Sequence, residues 1–134
     1  MKIPEIITVE DDPITSMLLR KLIERNKDID HCTSFNNGEE AFDFVKRRIQ
    51  ENDTPQLILL DLNMPIMDGW QFLDALALFP ESRKIQVYVM TSSIDTGDFE
   101  KSKSYNMIKG YFYKPISPLL LSEVVSKYNE NFIA

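Results

Sequence analysis

The chain has 134 residues, of which 21 are acidic and 15 basic, giving a formal net charge of -6 at pH 7. This length suits one domain with one core, and a hydrophobic fraction of 43% is typical of a globular chain rather than a disordered one. The acidic balance argues against direct nucleic-acid binding, and the single cysteine, Cys32, excludes an internal disulfide. No signal peptide or membrane-spanning run is found, so we expect a cytoplasmic protein without membrane contact.

The first apolar run and the segment after it predict a strand and a helix. Residues 6–9 form the run. Pro13 suits the first position of the helix, where no intrahelical N–H is required. The apolar positions of this helix recur at helical spacing: Ile14, Leu18 and Leu22, with Leu19 and Ile23 beside them.

The second and third predicted strands differ in polarity. Residues 29–35 predict a polar strand, whereas residues 57–60 are apolar throughout, as expected for a central parallel strand covered on both faces. The third run ends directly at Asp61. The helix between these strands places four apolar residues along one face: Ala41, Phe42, Val45 and Ile49.

The second half of the chain continues the alternation of strands and helices. The predicted elements are a helix after Gly69, a strand at 85–90, a weakly patterned helix at 95–106, a strand at 110–113 and a last helix opened by Ser117 and Pro118. Five strand–helix repeats predict an α/β fold with a parallel sheet between two helical layers. No linker or composition shift is found, so we predict one domain over residues 1–134, with its core at about 6–128.

Polar residues stand at the ends of four of the five predicted strands. They are Glu10, Asp11 and Asp12 after the first strand, Asp61 after the third, Thr91 after the fourth and Lys114 after the fifth. Open parallel sheets bind their ligands at this edge. Each residue alone could close a turn or cap a helix, and we interpret Asp12 as an N-cap. Asp61 is the hardest to explain structurally, because an acid next to buried aliphatic residues is costly without a partner.

These residues are suited to phosphoryl transfer. Clustered carboxylates repel one another, and Mg²⁺, which prefers oxygen ligands, would relieve the repulsion. A carboxylate oxygen of Asp61 can attack phosphorus to form an acyl phosphate. Lys114 and Thr91 would then compensate the charge of the phosphoryl oxygens. The chain contains neither GxxxxGK nor GxGxxG, so no nucleotide-binding loop is expected.

Four sequence blocks together resemble the signatures of a known family. They are Val9 to Pro13, Leu60 to Gly69, Met90 to Ser92 and Tyr113 to Pro115. In this order they resemble the response-regulator receiver domain of two-component systems, the family of the bacterial chemotaxis regulator. The resemblance runs from about Ile6 to Tyr128. It implies a doubly wound, flavodoxin-like (βα)5 three-layer sandwich with the strand order 2-1-3-4-5.

The resemblance also implies the acceptor and the metal ligands. Asp61 is similar to the phosphoacceptor that takes a phosphoryl group from a sensor histidine kinase or a histidine phosphotransfer protein. Asp11 resembles the direct magnesium ligand, Glu10 the ligand acting through water, and Asn63 the residue that offers its backbone carbonyl. Many members have Asp where Glu10 stands, which bears on metal distance or phosphoryl lifetime.

The resemblance further implies how the signal leaves the site. Lys114 is similar to the lysine that contacts the phosphoryl group, with a cis bond to Pro115. Thr91 and Tyr111 resemble the switch residues that act on the face formed by the fourth helix, fifth strand and fifth helix. No output domain follows Ile133 in this sequence, so a downstream protein, a homodimer or onward phosphotransfer would receive the signal. The chain could equally come from a longer hybrid protein.

Three other functions fit this sequence less well. A phosphate-independent interaction module would typically have lost the acceptor, the metal acid or the lysine, yet Asp61, Asp11 and Lys114 are all present. An aspartate-nucleophile phosphohydrolase would carry a second acid where Asn63 stands, so no catalysis on an external substrate is expected. A flavodoxin-like electron carrier is excluded because the acidic loop after the first strand would repel a flavin phosphate.

Overall fold

The five strands form one parallel sheet. The computed structural model describes residues 2–132. The strands are β1 (Ile6–Val9), β2 (Cys32–Phe35), β3 (Leu57–Asp61), β4 (Gln86–Thr91) and β5 (Ile108–Tyr113). Their order is β2-β1-β3-β4-β5, and every neighbouring pair is parallel. The predicted fold class and strand order are therefore confirmed.

Five α-helices follow the strands in turn. They are α1 (Pro13–Glu24), α2 (Gly38–Gln50), α3 (Gly69–Ala77), α4 (Thr96–Ser102) and α5 (Pro118–Asn131). Apolar residues of α1 and α5 share one core cluster, and those of α2 and α3 share another. The two clusters lie on opposite faces of the sheet, as the doubly wound arrangement requires. A short 3-10 helix at Pro80–Lys84, which the sequence did not predict, follows α3.

The central strand explains the unbroken apolar run. Leu57 and Leu59 pack in the cluster with α1 and α5, whereas Ile58 and Leu60 pack in the cluster with α2 and α3. All four side chains are fully buried. Alternate side chains of a strand point to opposite faces, so a strand covered on both sides needs apolar residues at every position.

The predicted first helix is present, but only some of its apolar positions are buried. Ile14 and Leu18 are 66% and 47% exposed, while Leu19 and Ile23 are buried against the sheet. Leu22 is half-buried at the edge of the same cluster. The spacing of α1 allows two overlapping apolar stripes, and the packing against β1 and α5 selects the one containing Leu19 and Ile23.

Three element boundaries lie two or more residues from their predicted positions. The regular part of β2 begins at Cys32 rather than at residue 29, although Ile29 forms an isolated bridge with Ile3. Helix α4 ends at Ser102 instead of near residue 106, because its polar sequence supplies few apolar residues to hold another turn on the sheet. Strand β5 begins at Ile108, two residues before the predicted start.

None of the helices in the described part of the chain is long and apolar enough to cross a membrane.

Candidate functional site

The carboxylate cluster lies where β1 and β3 run side by side. Val9 pairs with Leu60, so the residues that follow these two strands meet at the same edge of the sheet. One carboxylate oxygen from each of Glu10, Asp11 and Asp61 lies within 4.8 Å of the other two. Glu10 is fully buried, Asp61 is 3% exposed and Asp11 is half-buried. The structure thus brings together the three acids that the sequence predicted as ligands.

Lys114 supplies positive charge to this cluster from the end of β5. Its Nζ lies 2.6 Å from Oε1 of Glu10 and 3.7 Å from Oδ1 of Asp61. The direction of approach does not satisfy hydrogen-bond geometry, so the buried Oε1 of Glu10 has no hydrogen-bond partner among the described residues. The peptide bond from Lys114 to Pro115 is cis, as the family resemblance implies. One ammonium faces three carboxylates, which leaves the cluster with excess negative charge.

The burial of the site and its excess negative charge raise the pKa of the Asp61 carboxyl group. Burial, and then the charge of Glu10, raise its pKa from 3.8 to about 7. Lys114 and the Asn63 amide, which donates to Oδ1 of Asp61 at 3.3 Å, act in the opposite direction. The ionised carboxylate is therefore short of stabilising charge. Three oxygen donors with unbalanced negative charge fit a hard divalent cation such as Mg²⁺.

Asp12 lies outside the cluster and caps α1. Its side chain accepts hydrogen bonds from the Thr15 amide at 2.9 Å and from the Thr15 hydroxyl at 2.6 Å. The Asp12 amide donates to Oε2 of Glu10 at 3.1 Å, which fixes the turn between β1 and α1. The interpretation of Asp12 as an N-cap is confirmed.

Thr91 lies at the same edge but is bonded within its own loop. The residue is fully buried, and its Oγ1 accepts a hydrogen bond from the Ser93 amide at 3.0 Å. Its carbonyl accepts from the Lys114 amide at 2.8 Å, which ties the ends of β4 and β5 together. Asn63 contributes its amide to Asp61, and the metal-binding role of its carbonyl stays a prediction.

Tyr111 is separated from the carboxylates and packs among aromatic rings. Its ring centroid lies 5.3 Å from that of Phe99 and 5.5 Å from that of Tyr113, both in edge-to-face geometry. The hydroxyl is buried without a hydrogen-bond partner among the described residues. Burial, followed by the charge of Asp98, raises the pKa of Tyr111 to about 12. The predicted switch role of this residue is not tested by its position alone.

Gly69 holds α3 against the acceptor strand, a role that sequence reasoning missed. A β-carbon at this position would lie 2.8 Å from Cα of Leu62 and 2.9 Å from the carbonyl oxygen of Asp61. Both are backbone atoms, so neither can move without shifting the end of β3. The missed signal was the glycine at the first position of a helix that starts eight residues after Asp61.

We expect Gly69→Ala to lower the free energy of unfolding by about 2 kcal/mol, because the added methyl group overpacks this contact. Urea unfolding measures the effect. Gly97→Ala is the matched control, since its nearest neighbour is a movable side-chain oxygen of Asp95 at 3.1 Å and alanine is favoured in a helix. Equal stabilities of the two variants would contradict the close approach at Gly69.

A family model described as the response regulator receiver domain matches residues 6–126. The chain belongs to this receiver family. Response regulator Rcp1 of Synechocystis is 32% identical over 96 residues, which cover 69% of this chain and 65% of Rcp1. The probable methanogenesis regulatory protein FilR2 of Methanothrix harundinacea is 29% identical over 131 residues, covering 96% of this chain and 83% of FilR2.

Solved structures support the same fold. A two-component response regulator from Cytophaga hutchinsonii aligns with a TM-score of 0.88 at 24% identity, covering 98% of this chain and 100% of its own. The bacteriophytochrome response regulator RtBRR aligns with a TM-score of 0.82 at 28% identity, covering 100% of this chain and 81% of its own. Receiver domains generally bind Mg²⁺ in an acidic pocket and act with histidine kinases and downstream targets in signalling rather than as enzymes.

Proposed function

We propose that this receiver domain accepts a phosphoryl group on Asp61 in a Mg²⁺-dependent reaction and uses it as a signal. The observation that carries the proposal is the convergence of Glu10, Asp11 and Asp61 with Lys114 at one edge of the sheet. A phosphorylated cyanobacterial phytochrome response regulator, RcpA, aligns with this chain at 26% identity and a TM-score of 0.77, which supports the same chemistry here. We place the protein in the cytoplasm, as one receiver domain over residues 1–134.

The chemistry is an in-line transfer to a carboxylate. An oxygen of ionised Asp61 forms a bond to phosphorus while the bond from phosphorus to the donor breaks, and the leaving electron pair stays with the donor nitrogen or oxygen. Bound Mg²⁺, held by Glu10, Asp11, Asp61 and the Asn63 carbonyl, would neutralise the acids and polarise the phosphoryl oxygens. Lys114 stands where its ammonium compensates another of these oxygens.

The new phosphoryl group would act on Thr91. A phosphoryl group on Asp61 adds charge and three acceptor oxygens close to the ends of β4 and β5. The Thr91 hydroxyl can donate to one of them, and Tyr111 would follow inward, altering the face formed by α4, β5 and α5. The output is then a downstream protein, a homodimer or onward transfer of the phosphoryl group.

Two alternative functions are weaker. A phosphate-independent interaction module would not need three buried or half-buried acids facing a lysine, an arrangement that costs stability. An aspartate-nucleophile phosphohydrolase would need a second acid at position 63, where this chain has Asn63. We therefore propose no turnover of external substrates beyond loss of the protein's own phosphoryl group.

The intact mass of the protein after incubation with acetyl phosphate and Mg²⁺ tests this function. We expect a gain of one phosphoryl group, and no gain when a chelator removes the metal. Thermal unfolding in the presence of Mg²⁺ alone should also show stabilisation, because a ligand that binds only the folded state raises its stability. A folded protein that gains no mass and is not stabilised by Mg²⁺ would favour the interaction module.

An exposed apolar face of α1 lies beside the acidic cluster. Ile14, Met17 and Leu18 are 66%, 41% and 47% exposed, and Leu119 in the first turn of α5 is 67% exposed. Both helices begin at the edge of the sheet that holds Asp61. We propose that this face receives the histidine-bearing phosphodonor, because the donor must bring its phosphohistidine to Asp61.

Replacing Ile14 and Leu18 with serine is expected to slow phosphotransfer from a phosphohistidine protein by about tenfold, because apolar contact area in the complex is lost. Phosphorylation by acetyl phosphate needs no such surface and should proceed as in the wild type. Leu78→Ser is the matched control. Leu78 is 84% exposed and follows the last residue of α3, at the end of that helix away from Asp61. Equal slowing of both reactions would contradict a docking role.

A further inference from the structure

The carboxylate of Asp98 joins three parts of the fold: the loop that follows Thr91, α3 and α4. Asp98 on α4 accepts a hydrogen bond from the Ser93 hydroxyl on Oδ2 at 3.1 Å. On Oδ1 it accepts a hydrogen bond from Nε1 of Trp70 at 3.3 Å. Ser93 belongs to the loop after Thr91, and Trp70 belongs to α3. Asp98 therefore connects that loop, α4 and α3 through its two oxygens.

Ser93 places this network in direct contact with Thr91. The Ser93 amide donates to Oγ1 of Thr91 at 3.0 Å, and the Ser93 hydroxyl oxygen accepts from the Asp95 amide at 3.2 Å. The backbone and the side chain of one residue thus bond to Thr91 and to Asp98. A displacement of the Thr91 hydroxyl must strain or break the contacts of Ser93.

At the other end of the network, the indole ring of Trp70 contacts residues of α4 and of the segment that follows it. The Nζ atom of Lys101 lies 4.7 Å from the centroid of the indole ring, and the ring of Tyr105 lies 5.3 Å from it. The Tyr105 hydroxyl donates to Asp74 on α3 at 2.7 Å. Lys101 on α4 and Tyr105 after it both contact the indole ring, so a shift of α4 would change the surroundings of Trp70.

Tyr111 offers a second donor for the same carboxylate. Its buried hydroxyl has no hydrogen-bond partner among the described residues. Its ring lies 5.3 Å from that of Phe99, the residue that follows Asp98 on α4. The charge of Asp98 also contributes, after burial, to the raised pKa of Tyr111. If Ser93 withdrew from Oδ2, the hydroxyl of Tyr111 could take its place.

We propose that Asp98 is a positioning residue that transmits the movement of Thr91 to α3 and α4 by exchanging Ser93 for Tyr111 as its hydrogen-bond donor. The proposal rests on the proposed function, because it takes phosphorylation of Asp61 as the event that moves Thr91. The unphosphorylated form keeps the Ser93, Asp98 and Trp70 chain intact. Phosphorylation draws the Thr91 hydroxyl towards the phosphoryl oxygens, releases Ser93 from Asp98 and alters the surroundings of Trp70.

Trp70 is the only tryptophan, so its fluorescence reports this exchange directly. The experiment compares Trp70 emission with and without acetyl phosphate and Mg²⁺, while intact mass records phosphoryl incorporation in the same samples. In the wild type we expect a change in emission that follows the gain in mass. In Ser93→Ala, which keeps the amide bond to Thr91, we expect incorporation comparable to wild type and an emission change about fivefold smaller.

Asp98→Ala and Ser104→Ala complete the design. Asp98→Ala removes both hydrogen bonds of the carboxylate and should abolish the emission change. Asp98 touches none of the three clustered acids, so the gain in mass should remain. Ser104→Ala removes a side-chain bond to the Lys101 carbonyl, at 2.7 Å, near the same helix, and should keep the full change. Urea unfolding of each variant identifies any that fail to fold.

The outcomes separate the two proposals. If the wild type gains no phosphoryl group, the proposed function is wrong. If the wild type gains a phosphoryl group but its Trp70 emission does not change, the coupling through Asp98 is wrong. It is also wrong if the emission of Ser93→Ala and Asp98→Ala changes as much as that of the wild type. The same conclusion follows if Ser104→Ala loses as much of the change as Ser93→Ala.

Discussion

Replacing Lys114 with methionine is expected to lower the free energy of unfolding of the metal-free protein by about 3 kcal/mol at pH 8. Lys114 is 18% exposed, and its ammonium is the cation that lies against Glu10 and Asp61. Without it, two buried carboxylates remain close together with no compensating charge. Urea unfolding in the presence of a chelator measures the loss, which should shrink at pH 5 because Asp61 can then take up a proton.

Two further variants test whether the loss of stability comes from the missing positive charge at this site. Lys114→Arg keeps the positive charge and should recover part of the lost stability. Lys2→Met removes a surface ion pair with Asp30 at 3.4 Å, whose side chains are 68% and 52% exposed, and should change stability by less than about 0.5 kcal/mol. A loss in Lys114→Met no greater than that in Lys2→Met would show that the ammonium does not hold the acidic cluster together.

Asp61→Asn is expected to stabilise the metal-free protein as the pH rises. The pKa of Asp61 is about 7 in the folded protein, against an ordinary value of 3.8 in the unfolded chain. Between these values the folded state binds more protons, so the free energy of unfolding of the wild type falls as the pH rises from about 4 to about 7. The contribution of Asp61 is fully present below its unfolded pKa and is lost as the pH passes its folded pKa.

Asparagine does not titrate, keeps an oxygen for the Asn63 amide and adds no charge beside Glu10. The gain of Asp61→Asn over wild type should be near zero at pH 4 and reach about 3 kcal/mol at pH 8. Asp12→Asn is the matched control: its pKa is lowered by the hydrogen bonds from Thr15, so no gain towards pH 8 is expected. A gain that does not depend on pH would show that Asp61 does not titrate as described.

The sequence predicted the acidic site because one rule of parallel sheets is independent of detailed packing. Carboxyl ends of parallel strands share an edge, so Glu10, Asp61 and Lys114 were expected at the same edge of the sheet once the strands were identified. That β1 and β3 are direct neighbours followed only from the family resemblance. The role of Gly69 depends on how closely α3 approaches β3, which no periodicity records.

The sequence could not decide the points at which several packings satisfy the same pattern. Ile14 and Leu18 have helical spacing, yet the face of α1 that meets the sheet carries Leu19 and Ile23. The Asp98 network also escaped prediction, because Trp70 and Asp98 are 28 residues apart and meet only through the packing of α3 beside α4. Sequence patterns predict which elements form, and side-chain packing between elements decides which faces meet.

The most direct test of the account is to locate the phosphoryl group chemically. After reaction with acetyl phosphate and Mg²⁺, borohydride reduces an aspartyl phosphate to homoserine, and peptide mass spectrometry then identifies the modified position. We predict homoserine at Asp61, and none when the metal is removed. Modification at Asp11 or Asp12 instead, or none in a protein that remains folded, would contradict the assignment of Asp61 as the phosphoacceptor.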